Sequence, residues 1–209
     1  MLSEIVYGAV FAYFLGSLPA GYIAGRIAGV DIRTVGSRNV GATNVARVLG
    51  KRFGYPVFVV DFAKGFISVW LGVTIAKVAG SNIAIVDLCA ATAAVFAVIG
   101  HSYPLWLRFK GGKGVATSMG ALFAMNWIAA IAICLVWITI FQTTRYVSIA
   151  SLGAAAALPI AMATMFLLNQ LQTPIFVYFA LALGAIVIWR HRSNISRLWD
   201  GTEPRFNRQ

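Results

Sequence analysis

The sequence predicts an all-α integral membrane protein of seven transmembrane helices, and three observations carry that prediction. Hydrophobic residues make up 60% of the 209 positions and charged residues only 11%, where a soluble domain carries about a quarter charged residues. Apolar stretches long enough for a bilayer recur along the whole chain. Positive charge lies beside those stretches, and one topology gathers nearly all of it on a single side of the membrane.

Six apolar stretches read directly: residues 5–25, 55–76, 83–100, 114–143, 147–168 and 174–189. The first is long enough to span, and Met1 to Glu4 carry no basic segment, so no cleavable leader is expected. The fourth is ambiguous. Its 30 residues are too many for one ordinary span and few for two, and Asn126 is its only strongly polar interior residue.

Charge decides the matter. If the chain turns at Asn126, the N-terminus lies outside and the C-terminus is cytoplasmic. The inner side then receives Arg26, Arg33, Arg38, Arg47, Lys51, Arg52, Arg108, Lys110, Lys113 and Arg145, followed by Arg190, Arg192, Arg197, Arg205 and Arg208. That is 15 of the 17 lysines and arginines, with Lys64 in the membrane and Lys77 outside. Without the turn, 9 lie inside and 7 outside. Loops with excess Lys and Arg stay cytoplasmic, so seven spans are expected, forming one membrane-embedded domain over residues 1–209. The fourth helix, residues 114–125, is then about 18 Å long, well short of a roughly 30 Å hydrocarbon core. Its N-terminus is expected to open into a cavity partway across the membrane, where irregular backbone is tolerated only under cover of protein or water.

A net charge of +11 raises the question of nucleic acid. Its placement beside apolar spans excludes that partner and fits cytoplasmic flanks and anionic ligands instead. Cys89 and Cys134 lie inside apolar runs and are expected to be buried as small hydrophobes, without a disulfide.

Three polar stretches face the cytoplasm in this topology. The first reads Gly36-Ser37-Arg38-Asn39-Val40-Gly41-Ala42-Thr43-Asn44, followed by Arg47. Its glycines allow close backbone approach, and Ser37, Asn39, Thr43 and Asn44 offer short hydrogen-bonding side chains, so the loop can wrap an oxyanion. A capped turn between two helices has the same composition. The second reads Lys110-Gly111-Gly112-Lys113-Gly114-Val115-Ala116-Thr117-Ser118 and leads into the short helix. Free backbone N–H groups and the positive helix end are expected to converge there with two lysines and two hydroxyls, a better fit to phosphate than to simple topology anchors. It is not a Walker A loop, because Gly114 follows Lys113 where Ser or Thr is required. The partial likeness of the two loops raises the possibility of two phosphate sites, hence two phosphorylated substrates or a substrate and a product.

The third stretch is Arg190-His191-Arg192-Ser193-Asn194 at the end of the last span. On a continuing helix, His191 and Asn194 share a face. Flanking arginines favour a neutral His191 able to accept a proton. His101, before Ser102-Tyr103-Pro104, is expected to cap or hydrogen-bond in its loop. Asp61 and Lys64, three apart in the second span, are expected to neutralise one another, an intramembrane ionisable pair being also a functional hypothesis.

Several chemistries are absent. No Cys or His cluster has metal-ligand spacing, so no metal or other cofactor is expected. The acidic residues are Glu4, Asp31, Asp61, Asp87, Asp200 and Glu203 alone, which provides no paired-carboxylate Mg²⁺ site. No Gly-x-Ser-x-Gly elbow occurs, and neither histidine is followed four residues on by aspartate.

Leu15-Gly16-Ser17, Asp31-Ile32-Arg33, the loop from Gly36 to Asn44, Asp61-Phe62-Ala63-Lys64-Gly65, Gly100-His101, the run from Phe109 to Thr117, and that from His191 to Asn194 occur in this order. Together they resemble the bacterial acyl-phosphate:glycerol-3-phosphate acyltransferases, the PlsY family, from the first span to the end of the last. The resemblance implies a seven-helix inner-membrane protein with a cytoplasmic active site. It implies transfer of a fatty acyl group from acyl-phosphate to the sn-1 hydroxyl of glycerol 3-phosphate, giving lysophosphatidic acid and inorganic phosphate. Neither acyl-CoA nor acyl carrier protein serves as donor, and no obligate protein partner is expected.

By position, the resemblance implies that Ser37, Arg47 and Lys113 hold the phosphorylated substrates and that Asn39 and Thr43 belong to the same motif. His191 and Asn194 would contact glycerol 3-phosphate near the reacting hydroxyl. Lys110, Gly111, Gly112, Gly114, Thr117 and Ser118 complete the expected phosphate loop. Many members carry glycine where this chain has Arg38; the position is expected to tolerate a side chain, with Arg38 adding positive charge. Because acyl-phosphate is a mixed anhydride, direct attack by the glycerol hydroxyl needs no acyl-enzyme. Either His191 or a donor phosphate oxygen takes the proton. A small transporter or channel for phosphorylated solutes is the alternative, but outside the inner rim the spans offer little polarity for a path, Asp87 and Asn126 being the exceptions.

Overall fold

The computed structural model describes residues 2–206; Met1 and Arg208, which enter the reading above, lie outside the described residues. Every regular element among these is helical: α1 Leu2–Gly16, α2 Ala20–Ile27, α3 Ala42–Leu49, α4 Lys51–Val78 and α5 Ile83–Ser102, a 3-10 turn at Leu105–Leu107, then α6 Val115–Met125, α7 Trp127–Thr144, α8 Val147–Leu167, α9 Ile175–Arg190 and α10 Arg192–Trp199.

Five segments are long and apolar enough to cross a membrane: Leu2–Ile27, Lys51–Val78, Ile83–Leu107, Trp127–Thr144 and Val147–Leu167. The pair α9 and α10, bent by 55°, is a sixth candidate, and α6 is apolar but only 11 residues long. Large hydrophobics such as Phe58, Phe66 and Trp70 on α4, or Ile128, Ile131 and Leu135 on α7, are exposed. Apolar faces of that extent suit lipid rather than water, and helices satisfy their own backbone groups there. The chain is a multi-pass integral membrane protein.

The long apolar stretch 114–143 is interrupted at Asn126. There the backbone turns extended (φ −155°, ψ 101°), and the Asn126 side-chain oxygen accepts the Ala129 N–H at 2.9 Å, capping α7. The first stretch also differs from one continuous span. It breaks between Gly16 and Ala20, where Pro19 lacks an amide hydrogen and cannot continue the ladder.

The described residues fall into two compact units, the first ending at Met125 and the second beginning at Asn126. In the first, α4 packs against α1, α3, α5 and α6. The contact with α6 is backbone to backbone: a Cβ at Gly65 would collide with the Thr117 carbonyl, and one at Gly120 with the Phe62 carbonyl. Small residues allow this approach between apolar helices. Asp61 lies one turn before Gly65 on the same helical face, so the approach brings the first turn of α6 to the side of α4 that carries this carboxylate. At one end of the unit Ile32, Val40, Val45, Val57 and Leu107 form a buried cluster. Residues beside both polar loops thereby share one anchor.

In the second unit α8 packs between α7 and α9. Trp137 Nε1 donates to Ser151 Oγ at 3.2 Å. The end of the described chain folds back onto the loop between α7 and α8: the Phe206 N–H donates to Arg145 O at 2.9 Å, and the Arg205 guanidinium sits 5.2 Å from the Tyr146 ring centroid.

Candidate active site

The first polar loop is built around Asn44, which is 2% exposed in the first turn of α3. Its amide nitrogen donates to the carbonyls of Ile32, Val35 and Asn39 at 3.2, 3.2 and 2.9 Å, and its oxygen accepts the Ser37 N–H at 2.8 Å. Four loop positions are thereby fixed by one side chain. Asn39 is also internal to the turn, its Oδ1 accepting the Gly41 N–H at 2.8 Å. Ser37, Thr43 and Arg47 are half-buried on this frame, and Arg38 is exposed. Arg38 adopts φ +59°, in the left-handed region. The position thus holds an arginine side chain, but in a conformation that glycine reaches more readily than any other residue.

The second loop follows α5. Its glycine amides do not stand open, which corrects the expected convergence of free N–H groups. The Gly111 N–H donates to Ser102 O at 3.1 Å, and the Gly112 N–H to His101 O at 3.0 Å. Lys110 is exposed and Lys113 half-buried. Gly114 takes φ +82°, and α6 begins at the next residue. Any α-helix leaves its first-turn N–H groups without helical acceptors, so the donors of this segment belong to the head of α6 rather than to the glycine pair. Two further polar atoms sit there. Thr117 Oγ1 and Ser118 Oγ are buried and make no hydrogen bond among the described residues. Buried hydroxyls of this kind are completed by water or by a ligand oxygen.

Beside this loop lies a cavity of about 450 Å³ lined by Arg33, Trp106, Leu107, Arg108 and Lys110. Arg33 is held rigidly: its Nε and Nη2 donate to Asp31 at 2.9 and 2.7 Å, and its guanidinium stacks 4.6 Å from the Tyr22 ring centroid. Those hydrogen bonds pull the Asp31 carboxyl down to about 2. Below the loop, Asp61 and Lys64 pair at 2.8 Å while both are buried, as expected. His101 joins them, its Nδ1 3.5 Å from Asp61 Oδ1. Among the described residues, no group of three or more His, Cys, Asp or Glu side chains has the geometry to hold a metal ion.

His191 and Asn194 lie in the second unit. They do not share a continuing helix: α9 ends at Arg190, His191 is its C-terminal cap, and α10 leaves at 55°. His191 is 2% exposed, with Nδ1 2.8 Å from Val187 O. A carbonyl only accepts, so Nδ1 carries the proton and Nε2 is the basic nitrogen of the neutral ring. Arg192 turns back along α9, donating to Trp189 O at 3.3 Å and stacking on the Trp189 ring. Asn194 is anchored by a residue that motif spacing does not disclose: its Nδ2 donates to Glu203 Oε1 at 2.7 Å, and Arg197 Nε donates to Glu203 Oε2 at 2.7 Å. Asn194 Oδ1 is buried without a hydrogen-bond partner among the described residues. The only sequence signal for Glu203 is that acidic residues are so few.

Burial opposes ionisation of Glu203, but the hydrogen bonds from Asn194 and Arg197 outweigh it, so the carboxyl titrates below the ordinary glutamate value of 4.5. A depressed carboxyl stabilises the fold above its unfolded pKa, and that contribution is lost as pH falls through the lower, folded value. Glu203→Gln should therefore lower stability at neutral pH by about 1.5–3 kcal/mol, the range for a hydrogen bond to a charged group. Thermal melts of the two proteins should converge as pH is taken below about 4.5; a constant gap between them would show that the charge is not responsible.

Fold and loops define the class: a multi-pass helical membrane protein with a lysine- and glycine-bearing loop at the head of a short apolar helix. Comparison with known proteins makes this specific. The glycerol-3-phosphate acyltransferase family profile matches residues 6–201. Glycerol-3-phosphate acyltransferases are 45% identical over 93% of this chain and 91% of the relative in Gloeobacter violaceus, and 43% identical over 97% and 100% in Aquifex aeolicus. Crystal structures of PlsY, an integral membrane glycerol 3-phosphate acyltransferase, superpose closely. The glycerol 3-phosphate form gives a TM-score of 0.83 at 41% identity, covering 97% of this chain and 96% of that one. The lysophosphatidic acid form gives 0.81 at 40% identity, covering 97% and 95%. The chain belongs to the glycerol-3-phosphate acyltransferase family, and the activity is that of a membrane acyltransferase of phospholipid synthesis.

Proposed function

We propose that the chain transfers a fatty acyl group from acyl-phosphate to the sn-1 hydroxyl of glycerol 3-phosphate, releasing lysophosphatidic acid and inorganic phosphate. The observation that carries this reading is the loop ending in Lys113 and Gly114, which runs into α6 where two buried hydroxyls lack partners. A lysine, helix-terminal amides and hydroxyls suit a phosphate that gains charge as it leaves. The relatives' glycerol 3-phosphate and lysophosphatidic acid forms supply the acceptor and the product.

In this reading residues 1–209 form one domain of seven spans with α6 as the short one. The N-terminus is outside, the C-terminus is cytoplasmic, and the reaction takes place at the cytoplasmic face of a bacterial inner membrane. Ser37, Arg47 and Lys113 bind phosphate groups, with Lys110 adding charge at the loop's edge. Thr43 and the glycines Gly111, Gly112 and Gly114 shape the loops, and Thr117 and Ser118 offer hydroxyls. Asn39 serves by holding its turn closed. His191 and Asn194 contact glycerol 3-phosphate, Asn194 through the oxygen that its bond to Glu203 leaves to the ligand.

The hydroxyl attacks the acyl carbonyl directly, and the C–O bond to phosphate breaks without an acyl-enzyme. A phosphate oxygen of the donor takes the proton, while His191 positions the acceptor. His191→Ala should then raise KM for glycerol 3-phosphate and leave kcat within a few-fold at saturation. A fall of about 10²–10⁴ in kcat would make the imidazole the base. The donor is tested by offering the purified protein palmitoyl-phosphate, palmitoyl-CoA and palmitoyl-acyl carrier protein separately with glycerol 3-phosphate. Only the first should yield lysophosphatidic acid; turnover of either thioester would overturn the donor assignment.

A further inference from the structure

A buried charged cluster lies beneath the glycine loop and takes no part in the chemistry proposed above. Lys64 Nζ is 2.8 Å from Asp61 Oδ1 and donates at 3.0 Å to Leu18 O, in the break between α1 and α2. The same carboxylate oxygen faces His101 Nδ1 at 3.5 Å. All three side chains are buried, Asp61 and Lys64 at 3% exposure and His101 at 7%. Burying ionised groups among apolar helices is expensive, and packed apolar residues often serve stability as well or better. The cluster invites a role beyond holding helices together.

Its far end meets the loop twice. The His101 carbonyl accepts the Gly112 N–H, and the Nε2 edge of the His101 ring abuts Gly112. A Cβ on Gly112 would have Nε2, Cε1 and Cδ2 of that ring as its three nearest atoms, with Nε2 in direct collision. Gly111 differs: a Cβ there would meet the backbone carbonyls of His101 and Ser102 and the Pro104 ring, not the imidazole. Leu18 O, Lys64, Asp61, His101 and Gly112 thus form one connected path from the α1–α2 break to the residue preceding Lys113.

We propose that His101, held against the Asp61 carboxylate that Lys64 pairs, is the positioning residue of the phosphate loop: its Nε2 edge abuts Gly112, fixes where that residue sits and so places Lys113 against a phosphate oxygen. This rests on the reading of that loop as a phosphate site. Asp61 faces the ring at Nδ1, and Lys64 pairs with the carboxylate and ties it to Leu18 O in the helix break. None of the three touches substrate.

The test is a coupling experiment on purified protein. Five variants are compared with wild type: H101A, G112A, G111A and the doubles G112A/H101A and G111A/H101A. Affinity for inorganic phosphate is measured directly by calorimetry, together with KM for acyl-phosphate. Both quantities are independent of the fraction of folded enzyme, so general destabilisation moves neither. H101A should weaken phosphate binding about 10-fold and G112A about 10- to 100-fold, the scale of a displacement near 1 Å. Adding H101A to G112A should restore affinity toward that of H101A alone, because the obstructing ring is gone. G111A should gain nothing from H101A, its obstacles being backbone and proline. If H101A does not fold, H101N removes the ring and serves the same cycle. Wild-type affinity in H101A, or a G112A penalty unchanged by removing the ring, overturns the proposal. Phosphate binding by wild type without acyl transfer would instead count against the proposed reaction, leaving the positioning role standing.

Discussion

Replacing Lys113 with alanine is expected to lower kcat/KM for acyl-phosphate by about 10²–10³, the scale seen when one group stabilising developing charge is removed. In the proposed reaction, negative charge concentrates on the departing phosphate as the mixed anhydride breaks. On that reading, an ammonium at the entrance to α6, with first-turn amides behind it, would stabilise the charge in a half-buried setting where screening is weak. Lys113→Arg keeps the charge but changes its shape and reach, and should recover part of the loss. Lys110, exposed at the edge of the loop, should matter less, with an effect within about 10-fold and sensitive to salt. Steady-state kinetics on the three variants check this ordering; an alanine at 113 with near-normal kcat/KM would remove the loop from the reaction.

The largest effect on stability is expected at Asp61. Asp61→Ala leaves the Lys64 ammonium buried without its carboxylate, while its hydrogen bond to the Leu18 carbonyl remains. Breaking a buried pair in this way costs about 3–5 kcal/mol. Removing both charges in Asp61→Ala/Lys64→Met should recover most of that loss, since the penalty comes from the uncompensated ion. Unfolding in detergent, followed by intrinsic tryptophan fluorescence, measures both variants. A double variant no more stable than the single one would show that packing, not charge, dominates at this point.

The helical outline was legible because lipid imposes long apolar runs, and the break at Asn126 because positive charge could be gathered on one side only by turning there. The two glycine loops were legible as motifs. Their internal wiring was not. Asn44 reads as one polar side chain among several, and only the folded loop reveals it bonding to four backbone groups. The Gly111 and Gly112 amides look available in sequence, yet α5 ends with two carbonyls that claim them. The continuing helix expected through His191 fails because the chain bends there by 55°, and neither proline nor glycine marks the place. Glu203 and His101 find their partners nine and forty residues away along the chain, distances at which local pattern is silent. Arg38 stands in a left-handed backbone position that its residue type does not advertise.

The most direct measurement places acyl-phosphate and glycerol 3-phosphate together with purified protein and quantifies inorganic phosphate and lysophosphatidic acid in the same vessel. Direct acyl transfer predicts that the two products appear in equal amounts and that neither forms when glycerol 3-phosphate is omitted. Phosphate released without acylated product, or released at the same rate in the absence of the acceptor, would contradict it.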